Sequence, residues 1–71
     1  MQAEKTLRVI RDRSGWTVEG DRHPRSFFDR TQAIARAEIV AQDYKACEVV
    51  IADEQGNEES RRVYADGRLA S

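Results

Sequence analysis

The residue types that most often carry out chemistry are scarce in this sequence and stand apart from one another. His23 is the only histidine and Cys47 the only cysteine among 71 residues. A histidine that acts as a general base needs a partner group within reach, and no nucleophile motif flanks His23. Cys47 follows a predicted helix, whose negative C-terminal end disfavours the reactive thiolate. We therefore predict that the protein is not an enzyme.

Patterns typical of metal binding are also missing. One histidine and one cysteine cannot assemble a zinc site within the chain, and a lone cysteine excludes an intramolecular disulfide. The acidic residues Asp53, Glu54, Glu58 and Glu59 bracket a predicted turn, but they lack the spacing of an EF-hand. We interpret them as solvated turn residues and expect neither a metal nor a cofactor.

The overall charge argues against two large classes of partner. The formal net charge is −1, with 35% charged residues of both signs, which disfavours a dominant nucleic-acid or membrane role. The first residues lack the apolar run of a signal peptide, and the longest aliphatic run, residues 49–52, is too short to span a bilayer. With a lone thiol, these features favour a cytoplasmic location.

Period-2 alternation of apolar and polar residues predicts several short strands. Residues 6–11 and 16–19 form a predicted hairpin, and residues 25–28 form a short third strand. Residues 47–52 and 60–65 form a second hairpin around a turn that contains Gly56.

One amphipathic helix is predicted between the hairpins, from the N-cap Asp29 to about residue 46. Gln32 stands three residues after Asp29, which is the capping-box spacing, and alanines dominate the apolar stripe. The elements predict an α+β, two-layer fold of order ββ(β)αββ, with the helix on an antiparallel sheet of four or five strands. We assign residues 1–65 to this single domain and residues 66–71 to a disordered tail.

A single helix cannot cover both faces of a sheet, so apolar residues on the second face need another explanation. We expect Ile10, Val50 and Tyr64 on that face, and Ala35 and Ile39 in an exposed patch on the helix. We predict an interaction module that binds a protein through its open sheet face or a sheet edge. Whether that partner is a second copy of the chain, as in a homodimer, stays open.

A weak nucleic-acid-binding function is the alternative hypothesis. The candidate phosphate contacts are Arg8, Arg11, Arg13 and Arg25 of the N-terminal half. Acidic residues interleave with these arginines, which is more typical of a mixed, solvated surface.

Four short motifs, taken in order, resemble a known family. They are residues 15–18 (Gly-Trp-Thr-Val), residues 28–34 at the start of the helix, residues 48–51 followed by Gly56, and residues 62–64. The sequence between residues 7 and 64 resembles the small bacterial proteins of the domain of unknown function 2188 family. Members usually have Thr at the helix cap and Glu three residues later, where this chain has Asp29 and Gln32. The resemblance implies a fold and no activity.

Overall fold

The computed structural model describes residues 3–70, which form six strands and one helix. The elements are, in chain order, β1 (Lys5–Asp12), β2 (Gly15–Glu19), β3 (Ser26–Phe27), α1 (Arg30–Ala41), β4 (Ala46–Ala52), β5 (Glu58–Ala65) and β6 (Arg68–Leu69). The predicted α+β class with one helix is confirmed.

The sheet differs from the predicted antiparallel sheet of four or five strands. It has six strands in the order β3-β2-β1-β4-β5-β6, and β1 pairs with β4 in parallel. The two predicted hairpins, β1–β2 and β4–β5, are present and antiparallel. Alternation within a strand identifies the strand but not its neighbour, so the parallel pair at the centre of the sheet left no signal in the sequence.

One face of the sheet carries the core. Leu7 and Val9 of β1 are fully buried, and so are Cys47 and Val49 of β4. These residues pack in one cluster with Trp16 and with the alanines of α1. The faces that alternation predicts for β1, β2 and β4 are therefore those that form the core.

The helix begins where its capping residues predict. The carboxylate of Asp29 accepts a hydrogen bond from the backbone N–H of Gln32 at 2.9 Å, which satisfies one of the free donors of the first turn. Fully buried Ala33, Ala37 and Ala41 face the sheet, and their small side chains let α1 lie close to it.

No helix among residues 3–70 has the length and apolar composition needed to cross a membrane.

The helix ends earlier than predicted, at Ala41 instead of about residue 46. The backbone N–H groups of Gln42, Asp43 and Tyr44 each donate to the carbonyl three residues earlier. This tighter spacing closes the last turn and leads directly into β4.

The last residues also differ from the predicted tail. Asp66 and Gly67 form a turn with positive φ angles of 54° and 79°, and residues 68–69 then pair with β5 as β6. Because a two-residue strand has no measurable periodicity, its sequence gave no sign of pairing. Ser71 lies outside the described residues.

A partly buried ion pair ties the loop after β2 to the helix. Arg36 donates two hydrogen bonds to the carboxylate of Asp21, at 2.7 Å and 2.9 Å. The Asp21 side chain is only 2% exposed. Hydrogen bonding from Arg36 lowers the pKa of Asp21 from 3.8 to about 2, so the ionised carboxylate stabilises the folded state.

We expect Asp21→Asn to destabilise the protein by about 2 kcal/mol at pH 7, because one unit of pKa shift corresponds to about 1.4 kcal/mol. The native pKa lies below the unfolded value. The wild-type stabilisation is therefore present above pH 4 and is lost as the pH falls toward about 2. The variant should lose this part of the acid dependence. Urea unfolding, followed by Trp16 fluorescence at several pH values, measures both effects.

A matched control is Glu19→Gln, which removes the exposed ion pair between Arg8 and Glu19, whose charged atoms are 3.9 Å apart. Exposed pairs contribute about 0–1 kcal/mol, so this variant should unfold close to wild type. Equal destabilisation by both substitutions would contradict the role assigned to Asp21.

We expect Ala37→Leu to destabilise the protein by about 1–3 kcal/mol, because extra methylenes overfill the contact between α1 and the sheet. Ala37 is fully buried. The same substitution at exposed Ala35 is the control and should change stability by less than about 0.5 kcal/mol. Thermal unfolding of the two variants at low protein concentration measures the difference, and a tolerated leucine at position 37 would refute close packing there.

Candidate functional site

Two of the grooves that border α1 are large and differ in chemistry. The first has a volume of about 430 Å³ and is called the apolar groove here; it is lined by Arg25, Phe27, Gln32, Ala35, Arg36 and Ile39. The second has a volume of about 610 Å³ and is called the acidic groove; it is lined by Trp16, Phe28, Asp29, Arg30, Thr31, Asp53, Glu54, Gln55 and Glu59.

The apolar groove forms because one side of α1 continues past the core without a covering element. Gln32, Ala35 and Ile39 are spaced three and four residues apart, so they share one side of the helix. Phe27 of β3 forms the opposite wall, half-buried against the core. Ile39 is 57% exposed. The groove thus brings together two predicted contact residues, Ala35 and Ile39.

Two arginines edge the apolar groove, and they differ in how they are neutralised. Arg36 is held by Asp21. Arg25 lies over the ring of Phe27, 6.0 Å from its centroid, and within residues 3–70 it forms no ion pair. The groove therefore combines an apolar floor with a positively charged edge. The sequence did not predict Phe27 as a wall beside Ile39, because only the pairing of β3 with β2 brings it to the helix.

Ion pairs organise the acidic groove. Arg30 contacts Glu59 at 2.8 Å and lies over the Trp16 ring, 5.8 Å from its centroid. The hydrogen bond that Arg30 donates to the Glu59 carboxylate raises the pKa of Arg30. Phe28, at 91% exposure, is the most exposed large apolar residue of the described chain. This groove thus presents an uncovered aromatic ring among carboxylates.

The acids of the β4–β5 turn have structural partners. The carboxylate of Asp53 accepts hydrogen bonds from the backbone N–H groups of Gln55 and Asn57, at 2.9 Å and 3.0 Å. Glu54 lies 3.6 Å from Arg11. Within residues 3–70, no three acidic, histidine or cysteine side chains form a group that could hold a metal ion.

The sheet face opposite α1 is covered by charged side chains. Val50 is only 7% exposed, and its neighbours in the adjacent strands are Arg8 and Arg61. Arg61 contacts Glu48 at 3.1 Å and Glu58 at 2.7 Å. Long arginine stems cover apolar surface while their charged ends stay in water, so little of Val50 is left for a partner.

The other two residues predicted for that face lie in different surroundings. Ile10 is on it and is half-buried. Tyr64 instead lies on the helix side, where it is 5% exposed and belongs to the core. Its register partner is Cys47, and directly paired residues of antiparallel strands share a face. Both phases of β5 contain arginine and an apolar residue, so alternation could not decide which phase faces the core.

The four arginines proposed as phosphate contacts are not gathered into one patch. Arg8 lies on the face opposite α1, beside Glu19. Arg11 is paired in register with Trp16 on the core face. Arg13 lies in the hairpin turn and Arg25 at the apolar groove.

The two candidate nucleophile and base residues lie in unrelated places. Cys47 is fully buried, and burial raises the pKa of its thiol, which disfavours the thiolate. His23 is exposed, and its backbone N–H donates to the carboxylate of Asp21 at 3.0 Å.

Comparisons with known proteins found no relative of this chain. No model of a protein family matches the chain, and neither a curated protein nor a solved structure matches it. The resemblance to the domain of unknown function 2188 family therefore stays a prediction.

Proposed function

We propose that this protein is a small, non-enzymatic interaction module that binds a protein partner through the apolar groove. The observation that carries the proposal is the 57% exposure of Ile39 in a groove whose other apolar walls are Phe27 and Ala35. Exposed aliphatic residues are ordinary when they stand alone. Here the aliphatic side chain lies beside an aromatic ring in a concave surface, which suits insertion of a partner's side chain.

The other two surfaces considered for docking are less suitable. The face opposite α1 is covered by the ion pairs of Arg8 and Arg61. The sheet edges are formed by β3 and β6, which have two residues each, and by residues 58–62 of β5, which β6 does not pair with and of which four are charged. Short and charged edge strands are features that hinder addition of a further strand. The apolar groove is therefore the surface we assign to the partner.

The positive charge at the edge of the apolar groove restricts which partner segments fit it. Arg25 carries a guanidinium at the edge without a carboxylate beside it, so a segment with an apolar side chain next to an acidic one suits the groove best. Such recognition needs no reactive group, in keeping with a non-enzymatic role. Because the protein has a single, buried thiol, we propose that it works in the reducing cytoplasm.

The test is an affinity pull-down from a lysate of the source organism with the wild type, Ile39→Glu and Leu69→Glu. Ile39→Glu places a carboxylate where the partner's apolar side chain should be buried, so recovery of the partner should fall by about tenfold or more. Leu69 is 61% exposed on β6 and lies outside the groove, so Leu69→Glu should recover the partner as the wild type does.

Nuclease treatment of the lysate separates this proposal from nucleic-acid binding. We expect recovery to survive nuclease. Recovery that disappears with nuclease, or that is equal for Ile39→Glu and the wild type, would contradict binding of a protein through the groove. Circular dichroism of each variant checks that the fold is retained.

A further inference from the structure

Phe28 has no role in the fold of the single chain. It stands immediately before the N-cap Asp29, where an apolar residue often packs on the fourth residue of the helix, here Ala33. Its 91% exposure shows that this contact is not made. The chain contains only two phenylalanines, so leaving one of them in water forgoes a large part of the apolar area available for burial.

The surroundings of Phe28 are complementary in charge to the apolar groove. The acidic groove, which Phe28 lines, contains the carboxylates of Asp29, Asp53, Glu54 and Glu59. The guanidinium of Arg30 also lines it, and Arg11 lies 3.6 Å from Glu54, so the four acids outnumber the two arginines. The apolar groove is lined by two arginines and no carboxylate. One chain therefore presents both an apolar side chain among acids and an apolar groove edged by arginine.

We propose that the partner in the apolar groove is a second copy of this chain, which inserts Phe28 between Phe27 and Ile39. The proposal rests on the function proposed above and names its partner. Insertion brings the carboxylates around Phe28 of one copy toward Arg25 of the other, so opposite charges meet as the apolar surfaces are buried.

The two contacts are reciprocal and form a closed dimer. Phe28 and the groove both border α1, and residues 28 and 39 lie at opposite ends of the helix. A two-fold axis across the two antiparallel helices places each Phe28 at the groove of the other copy. A one-way contact would leave a free Phe28 and a free groove and would grow into a chain instead.

The dimer is weak because the contact is small. Standard interfaces bury roughly 800 Å² of each partner, which would be about a sixth of the 4933 Å² surface of the described chain. A contact along α1, whose 12 residues extend over about 18 Å, is smaller than such an interface. We therefore expect dissociation constants in the micromolar range or weaker, and less association as salt screens the charges.

Sedimentation velocity of the purified chain at up to about 1 mM tests the dimer. The wild type should shift from monomer to dimer with concentration, and raising NaCl from about 0.05 M to about 0.5 M should weaken the shift. Phe28→Glu and Ile39→Glu should each lower the association constant by about tenfold or more, and Leu69→Glu should not. A wild type that stays monomeric, or that forms species larger than the dimer, would overturn the proposal.

Disulfide trapping tests the geometry. Phe28→Cys and Ile39→Cys, mixed and gently oxidised, should form a mixed disulfide, because the two sites meet across the interface. Ile39→Cys alone should not dimerise covalently, since each Ile39 faces Phe28 of the other copy and not the other Ile39. The wild-type chain is the control for disulfides formed through Cys47, which is fully buried. Self-linked Phe28→Cys without the mixed product would overturn the arrangement.

The two proposals fail differently. A chain that is monomeric and forms no mixed disulfide, but that still captures a protein in an Ile39-dependent manner, would refute self-association and leave the proposed function standing. If Ile39→Glu changes neither the capture of other proteins nor the self-association of the chain, both proposals are refuted.

Discussion

Parallel pairing of β1 with β4 requires the chain between these strands to cross from one end of the sheet to the other. That chain contains β2, β3 and α1, so the position of the helix is tied to the central strand pair. The crossover places α1 over β1, β2 and β4 and leaves the opposite face without a helix. Because α1 faces the sheet with Ala33, Ala37 and Ala41, the aliphatic residues of the strands supply most of the core volume.

The two faces of the sheet bury their apolar residues in different ways. On the helix side, apolar residues pack directly on alanine. On the other side, Val50 is covered by arginines whose ends are held by Glu19, Glu48 and Glu58, which adds little stability per pair but keeps water away from the valine. The bulge between β4 and β5 adds one residue, Glu59, to β5. Bulges redirect side chains, and Glu59 contacts Arg30 at the start of α1.

Local signals in the sequence were sufficient for some elements. Asp29 and Gln32 predicted the start of α1, because capping is a property of adjacent residues, and alternation predicted the core faces of β1, β2 and β4. The parallel pair and the face of Tyr64 were not predictable, because register and strand order depend on contacts between distant segments. The same holds for the site. The exposure of Ile39 followed from the helical angle, whereas the wall that Phe27 and Arg25 form against it depends on the pairing of β3 with β2.

The exposed apolar residues are best explained by the small size of the core of the single chain. A domain of this length has a small core, which supplies about 3–5 kcal/mol, and full burial of a phenylalanine or isoleucine contributes about 1.5–3 kcal/mol. Phe28 and Ile39 contribute little to the monomer, since most of each side chain stays in water. Neither is needed to define α1, which is set by Asp29 at its start and by the buried alanines along its length. In the proposed module this apolar area is available for contact with a partner, and Arg25 at the groove of Ile39 gives that contact a preferred charge.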